Sequence, residues 1–262
     1  MNYPAAPMPP EPTTKSDRLK LALLASPRLY RVARRPFALG RYYLKRPHDP
    51  AYAAFRYLKG GDGIFLDVGA NAGMSALSFR LFQPDVPIVS IEPNPFHEPD
   101  LAFLKRRVLR DFDYRLIGAG AEPHVLSLHV PVYNGTALTA IAALERSSVE
   151  ANRSLRSLLG DRIASDRFDV VEVKVDVRAL DELELEPDFV KLVVQGAEYP
   201  ALLGMRRTLE RRRPVVMVQR PNSDVRTLFG ELGYSAWTAT GDGARLEPED
   251  KWALNIFFLP DV

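Results

Sequence analysis

Apolar residues fall along this chain in short blocks, each closed by glycine, proline or a charged turn. Residues 63–68 (Gly-Ile-Phe-Leu-Asp-Val) are almost continuously apolar, the pattern of a strand buried on both faces of a parallel sheet. Residues 86–91, 187–194 and 214–219 repeat that pattern, and 114–118 is a shorter run. Residues 125–132 and 170–177 alternate instead, with Glu172, Lys174 and Asp176 on one face of the latter. Between these blocks the spacing changes to that of helices at 74–82, 99–111, 199–212 and 225–232, while 141–159 is helical or irregular with exposed arginines. Residues 253–259 read as a final edge strand. The alternation predicts an α/β fold built on a single sheet with helices on both faces.

The junction after the first strand carries the most chemistry. Phe65-Leu66-Asp67-Val68-Gly69-Ala70-Asn71-Ala72-Gly73 joins a buried strand to a glycine turn and then to a helix whose N-terminal amides face the crevice. Glu92 closes the second strand, 25 positions after Asp67. In doubly wound sheets an acid at that place accepts hydrogen bonds from both ribose hydroxyls. Dinucleotide folds want G-x-G-x-x-G, with room for a pyrophosphate. Here the spacing is Gly69-x-x-x-Gly73 with Asp67 beside the turn, and a carboxylate there repels a pyrophosphate but suits the α-ammonium of a sulfonium amino acid. S-adenosylmethionine therefore fits better than NAD, with a glycine turn that merely packs a helix on a strand as the plain alternative.

Composition narrows the chemistry further. The chain has 262 residues, 46% of them hydrophobic, enough for one full α/β domain and an N-terminal extension. It has no cysteine, so disulfides, thiolate nucleophiles and Cys-type zinc sites are excluded. His48, His97, His124 and His129 are too scattered for a metal motif, and no metal is expected. Residues 1–14 read as a disordered tail, 15–60 as a basic helical extension or cap, and 61–262 as the catalytic domain. Between Lys15 and Arg46 ten basic residues face a single acid, Asp17, with leucine and aromatic residues interleaved. That segment could lie on anionic lipid or bind a protein partner, or cover the cleft as a solvated helix. With a net charge of only +2 and no accompanying motif, nucleic acid is not expected. No apolar stretch is long enough to span a bilayer and no signal-peptide pattern opens the chain, so the expected location is cytoplasmic, at most peripheral to the inner membrane face.

Four linked motifs resemble one family. They are the glycine turn, then Ser90-Ile91-Glu92-Pro93-Asn94-Pro95, then Leu180-Asp181-Glu182-Leu183, then Val190-Lys191-Leu192-Val193-Val194-Gln195-Gly196-Ala197-Glu198. In order and spacing they resemble the FkbM family of S-adenosylmethionine-dependent methyltransferases, from about residue 63 onward. The resemblance implies a Rossmann-like class I methyltransferase fold with a mostly parallel seven-stranded sheet, its last strand antiparallel. It also implies O-methylation of a hydroxyl on a saccharide, glycolipid or polyketide-like acceptor. Carried onto this chain, Asp67, Gly69, Ala70, Asn71 and Gly73 hold the methionine part of the cofactor, Glu92 the ribose, and Asn94 lies near the adenine.

The acceptor side departs from the family. Where the family has Lys-Ile-Asp-Val-Glu-Gly-Ala-Glu, this chain reads Lys191-Leu192-Val193-Val194-Gln195-Gly196-Ala197-Glu198, and Gln219 ends a strand that usually ends in glutamate. Ala121 replaces another common acid, with Glu122 adjacent. Methyl transfer to a hydroxyl is an in-line displacement that releases a proton, and neither valine nor glutamine accepts it. Lys191, Gln195 and Glu198 are the remaining catalytic candidates, with His97 and His124 as more distant ones. Lys191 could equally be structural, paired with Asp188 or Asp181, and the arginines at 206, 207 and 211–213 read most simply as a solvated helix face. Three readings stay open: an active O-methyltransferase, a cofactor-binding but inactive partner protein, and an NAD-dependent oxidoreductase. A homo-oligomer is compatible with each.

Overall fold

The computed structural model describes residues 21–24, 26–240, 243, 245–249 and 253–261. The expected tail at 1–14 lies outside them. The chain divides into two compact units, one within Met1–Phe37 and Leu126–Lys174, the other Ala38–Val125 with Val175–Val262.

The larger unit is organised by an eight-stranded sheet. Its strands are β1 (Ile64–Val68), β2 (Ile88–Ile91), β3 (Phe112–Arg115), β8 (Pro187–Leu192), β9 (Val215–Gln219), β10 (Tyr234–Ala239), β11 (Leu246–Pro248) and β12 (Asn255–Pro260). They lie in the order β11-β10-β12-β9-β8-β1-β2-β3. From β3 to β9 all neighbours are parallel, with Asp67 opposite both Ser90 and Lys191. β12 runs against both β9 and β10. The chain builds β2 and β3 on one side of β1 before returning to place β8 on the other. β1 is therefore the switch strand, and the crevice beyond its carboxyl end is where such sheets bind ligands.

Side chains leave alternate faces of these strands, which explains the unbroken apolar runs. Leu66, Val68, Val190, Leu192, Val216, Val218, Ile256 and Phe258 enter one buried layer. Phe65, Phe189, Met217 and Phe257 enter the other with Tyr52, Phe55 and Phe79. Phe55 lies on a 3-10 helix, Pro50–Tyr57, begun by Asp49, whose carboxylate accepts the Ala51 N–H at 2.9 Å. Its ring meets those of Phe65, Phe79, Phe189 and Phe257 at 5.0–5.9 Å between centroids. Asp67 and Lys191 project into this same aromatic layer and are its exceptions.

The helices are α1 (Pro27–Tyr43), α2 (Met74–Arg80), α3 (Glu98–Arg107), α4 (Arg146–Glu150), α5 (Arg153–Leu159), α6 (Glu198–Leu203), α7 (Arg206–Arg212) and α8 (Ser223–Glu231). The helix expected over 199–212 is broken after Leu203. At the break stands Gly204, where a Cβ would lie 1.9 Å from the Gly120 carbonyl oxygen and whose own carbonyl accepts the Asp181 N–H at 2.8 Å.

A second sheet has the order β4-β7-β5-β6, with β4 at Gly118–Ala119, β5 at His124–Tyr133, β6 at Thr136–Ala137 and β7 at Phe168–Arg178. The single sheet expected from the strand pattern is thus two. The reason lies in β7, where residues 172, 174, 176 and 178 are all exposed, and such a strand cannot be buried on both faces of a parallel sheet. On one exposed face Lys174 donates to both Glu172 and Ser127, and Ser127 donates to Glu172 at 2.6 Å. The smaller unit has its own core of Leu24, Tyr133, Leu138, Val149, Leu155, Leu159 and Val170. The region expected as helical or irregular, 141–159, holds the short helices α4 and α5, the latter capped by Asn152 accepting the Leu155 N–H at 3.0 Å.

Two further expectations are corrected. The main sheet has eight strands rather than seven, because β11 pairs with β10. The C-terminal strand is interior rather than at the edge: Ile256, Phe257 and Phe258 are buried between β9 and β10, and the edge belongs to the β10–β11 hairpin.

Candidate active site

The turn after β1 is shaped by what crowds it. Gly69 has φ 78°, and a Cβ there would lie 1.9 Å from the Val193 carbonyl oxygen, so neither its backbone angle nor its space admits a side chain. Its N–H and that of Ala70 both donate to the Ile91 carbonyl, at 2.8 and 3.1 Å, tying the turn to the end of β2. Asn71 follows with φ 51°, and Gly73, φ 84°, leads into α2.

Glu92 completes this corner from β2. It is 6% exposed; its Oε2 accepts the Asn71 N–H at 2.7 Å and its Oε1 the Asn94 N–H at 2.9 Å. Burial raises its pKa above the ordinary carboxyl value, and the two amides pull the other way. Each oxygen keeps a lone pair, so the carboxylate can still take two further donors, the demand a ribose diol makes. Asn94 is buried, and its Oδ1 accepts the Phe96 N–H at 3.1 Å.

Asp67 and Lys191 form the floor. Asp67 is fully buried; its Oδ2 accepts the Ser75 hydroxyl at 2.5 Å and the Ser90 hydroxyl at 3.3 Å. The Lys191 ammonium lies 3.1 Å from Asp67 Oδ1 as an ion pair, and its hydrogen bonds go instead to the carbonyls of Gly69 at 2.7 Å and Val68 at 3.2 Å. Lys191 thus pairs with Asp67, not with Asp188 or Asp181. Asp188 serves Arg212 and the N–H groups of Gly61 and Gly63, while Asp181 receives the N–H groups of Arg207 and Thr208. In this arrangement Asp67 touches the turn through lysine rather than facing the crevice.

The other catalytic candidates separate. Glu198 closes its own turn, accepting the N–H of Val194 at 3.0 Å and of Gly196 at 2.8 Å. Gln195 is exposed, with φ 54°, and Val193 is half-buried, its N–H donating to the Val68 carbonyl at 3.1 Å. Gln219 pairs in register with Asn255, whose amide donates to Asp49 at 2.6 Å. His97 is buried and His124 is exposed against the Glu122 carbonyl at 2.9 Å. The arginines of α7 are engaged rather than simply solvated: Arg206 pairs with Glu210, Arg207 with Asp181, Arg211 with Glu186 and Arg212 with Asp188.

Sequence reasoning passed over Tyr52 and Ser75. Tyr52 is 2% exposed, and burial followed by the Asp67 and Asp49 charges raises its pKa, with the Ser75 hydroxyl pulling the other way. No motif marks it, since it lies in the segment read as an extension. Its proline start, Asp49-Pro50, was the available helix signal.

A parallel sheet with one strand inserted antiparallel, a glycine turn at the switch strand and an acid closing the next strand define a class I, Rossmann-like methyltransferase fold. The chain matches the Methyltransferase FkbM domain over residues 67–236 and belongs to that family of methyltransferases. Among solved structures it is similar to the methyltransferase FkbM from Methylobacillus flagellatus KT, at 16% identity and TM-score 0.50, covering 80% of this chain and 48% of that one. The chain therefore spans about half the length of that relative. Weaker likenesses are to a precorrin-6y C5,15-methyltransferase from Geobacter metallireducens GS-15 (14% identity, TM-score 0.39, 80% of this chain and 83% of that one). A TehB-like SAM-dependent methyltransferase from Corynebacterium glutamicum ATCC 13032 Kitasato gives 9% identity and TM-score 0.42, over 88% of this chain and 96% of that one. No curated protein matches the sequence significantly. Among the described residues, no helix is long and apolar enough to cross a membrane, and no cluster of side chains could hold a metal ion.

Removing one member of the buried pair leaves the other uncompensated. Lys191→Met should destabilise the protein by about 3–5 kcal/mol in urea denaturation, whereas the double variant Asp67→Asn/Lys191→Met should recover a large part of that loss.

Proposed function

We propose that the chain transfers a methyl group from S-adenosylmethionine to a hydroxyl of a saccharide, glycolipid or polyketide-like acceptor. The observation that carries this reading is Glu92, a buried carboxylate at the switch-point crevice, oriented by two backbone amides and retaining one acceptor site per oxygen. Its fit is to a vicinal diol, since an anionic acceptor set suits hydroxyl donors and repels a pyrophosphate. Glu92 would hold the ribose, Asn94 would lie beside the adenine, and the backbone from Gly69 to Gly73 would hold the methionine part. Asp67 acts from below, fixing the turn through Lys191. When bound, the cofactor supplies an electrophilic methyl on a sulfonium.

The chain's own share of the reaction is to position the acceptor. Gln195 can hydrogen-bond a hydroxyl but cannot take its proton at neutral pH. Lys191 is committed to the carbonyls of Val68 and Gly69, and Glu198 to the amides of its own turn. The hydroxyl proton then leaves to solvent, and rate enhancement comes from proximity and alignment, which can supply about 7–11 kcal/mol of a barrier.

A second reading, a family member that binds the cofactor without turnover, is favoured by the same commitment of Lys191 and Glu198. Calorimetry with S-adenosylhomocysteine tests what both share: the wild type should bind, and Glu92→Ala should weaken binding tenfold or more, about 1.4 kcal/mol. Absence of binding would refute both. The double variant Val193→Asp/Gln195→Glu separates them: a methyltransferase that works by alignment transfers as the wild type and gains nothing from the added acids, while an inactive relative transfers only with the restored acids.

We also infer peripheral contact with anionic membrane through α1, which carries five arginines and no acid. Leu29, Phe37 and Tyr43 on this helix are exposed, as is Leu44 just beyond it. Apolar contact and charge attraction together suit an interfacial helix. In liposome flotation the protein should rise with phosphatidylserine vesicles and not with phosphatidylcholine, and Phe37→Ser/Tyr43→Ser/Leu44→Ser should remain in the pellet fraction with both.

A further inference from the structure

Three strands that converge on the switch-point crevice, β1, β8 and β9, each leave the sheet through a non-glycine residue in the left-handed region. These are Asn71 (φ 51°), Gln195 (φ 54°) and Arg220 (φ 49°). Asparagine tolerates this backbone through its short polar side chain, but glutamine and arginine are held there against a cost of roughly 1–2 kcal/mol that glycine would avoid. Residues in this region persist where the surrounding structure fixes them, as also at Glu184 and Arg213, and three of them gathered at one crevice is the pattern of a binding site.

Gln195 and Arg220 share one edge. β8 and β9 are parallel neighbours with Leu192 opposite Val218, so both residues emerge just beyond adjacent carboxyl ends. The Arg220 backbone is fixed there, its N–H donating to the Leu254 carbonyl at 2.9 Å. Its side chain is exposed, and among the described residues its guanidinium makes no ion pair or hydrogen bond. That contrasts with the arginines of α7, whose partners Asp181, Glu186 and Asp188 lie before or at the amino end of β8, and with Arg226, which pairs with Glu249. The same edge has Val193, Gln195 and Gln219 where acids would offset such a charge, and both oxygens of Glu198 are bound by amides.

We propose that Arg220 is a specificity-determining residue that reads an anionic group, carboxylate or phosphate, on the acceptor, with Gln195 hydrogen-bonding a hydroxyl of the same molecule. A guanidinium presents a rigid fork of donors that matches carboxylate and phosphate and gains little from a neutral sugar. The missing acids acquire a reason, since each would repel such a ligand. This inference rests on the reading of the crevice as a methyl-transfer site.

The test uses the full chain with and without S-adenosylhomocysteine, and three probes: glucose, glucuronate and glucose 6-phosphate, followed by ligand-observed NMR. One or both anionic probes should bind at least tenfold more tightly than glucose, and the better of the two identifies carboxylate or phosphate as the group read. Arg220→Ala should abolish that preference without changing the weak glucose signal or the affinity for S-adenosylhomocysteine, and Arg220→Lys should restore only part of it. Arg220→Gly, which relieves the backbone, should be at least as stable as the wild type and equally unselective. Equal binding of all three probes, no binding of either anion, or a preference that survives in Arg220→Ala would overturn the proposal. A failure of S-adenosylhomocysteine to bind would count against the methyl-transfer reading instead, while anion selectivity is still read on the ligand-free protein.

Discussion

The corner beyond β1 depends on a lysine ammonium placed where an apolar side chain would be expected. Lys191 enters the aromatic layer from β8, directly opposite Asp67 on β1, and spends its hydrogen bonds on the last carbonyls before the glycine turn. The turn is then held from both sides: its N–H groups by Ile91 and Glu92, its carbonyls by lysine. A buried ion pair adds little net stability compared with a well-packed apolar pair, but it fixes direction. Ser75 and Ser90 complete the set by donating to Asp67 Oδ2, and α2 is thereby anchored to the strands at its first turn.

Much of this was legible in the sequence because backbone demands leave strong marks. The glycine turn, the acid after the second strand and the runs buried on both faces each follow from local geometry, and β1, β2, β8 and β9 lie where the apolar blocks placed them. The partner of Lys191 was not legible, because it depends on register across two strands far apart in the chain. Asp188 and Asp181 were nearer in sequence, yet each is engaged by a different helix or loop. The division into two sheets was hidden for a related reason: the alternating strand β7 signals one exposed face, but not that a separate unit gathers around it. Tyr52 and its 3-10 helix escaped because an extension rich in basic residues obscured a short apolar motif, Tyr52-Ala53-Ala54-Phe55, that packs in the aromatic layer.

The two ends of the crevice are built on different principles. On the β1–β2 side the turn and its buried pair are tied to one another and Glu92 is oriented by two amides with acceptor sites left over, so the shape is set before any ligand arrives and little reorganisation remains. On the β8–β9 side the strands end in exposed side chains on left-handed backbone, and the usual acids are replaced by neutral residues of similar reach. The first side carries the glycine turn and the acid by which the chain resembles its family, and the second carries Val193, Gln195 and Gln219, all neutral.

The position of β12 sets an order on assembly. β10 and β11 are synthesised before it, yet β12 lies between β9 and β10, so the earlier hairpin has no neighbour to join when it leaves the ribosome. The sheet is closed by inserting its last-made strand into an interior slot, burying Ile256, Phe257 and Phe258 in one step. Such long-range closure is slow relative to local helix formation, and until it occurs the chain presents two open apolar strand edges. Until residues 255–260 are in place, β10 and β11 therefore have no partner through which to join the main sheet.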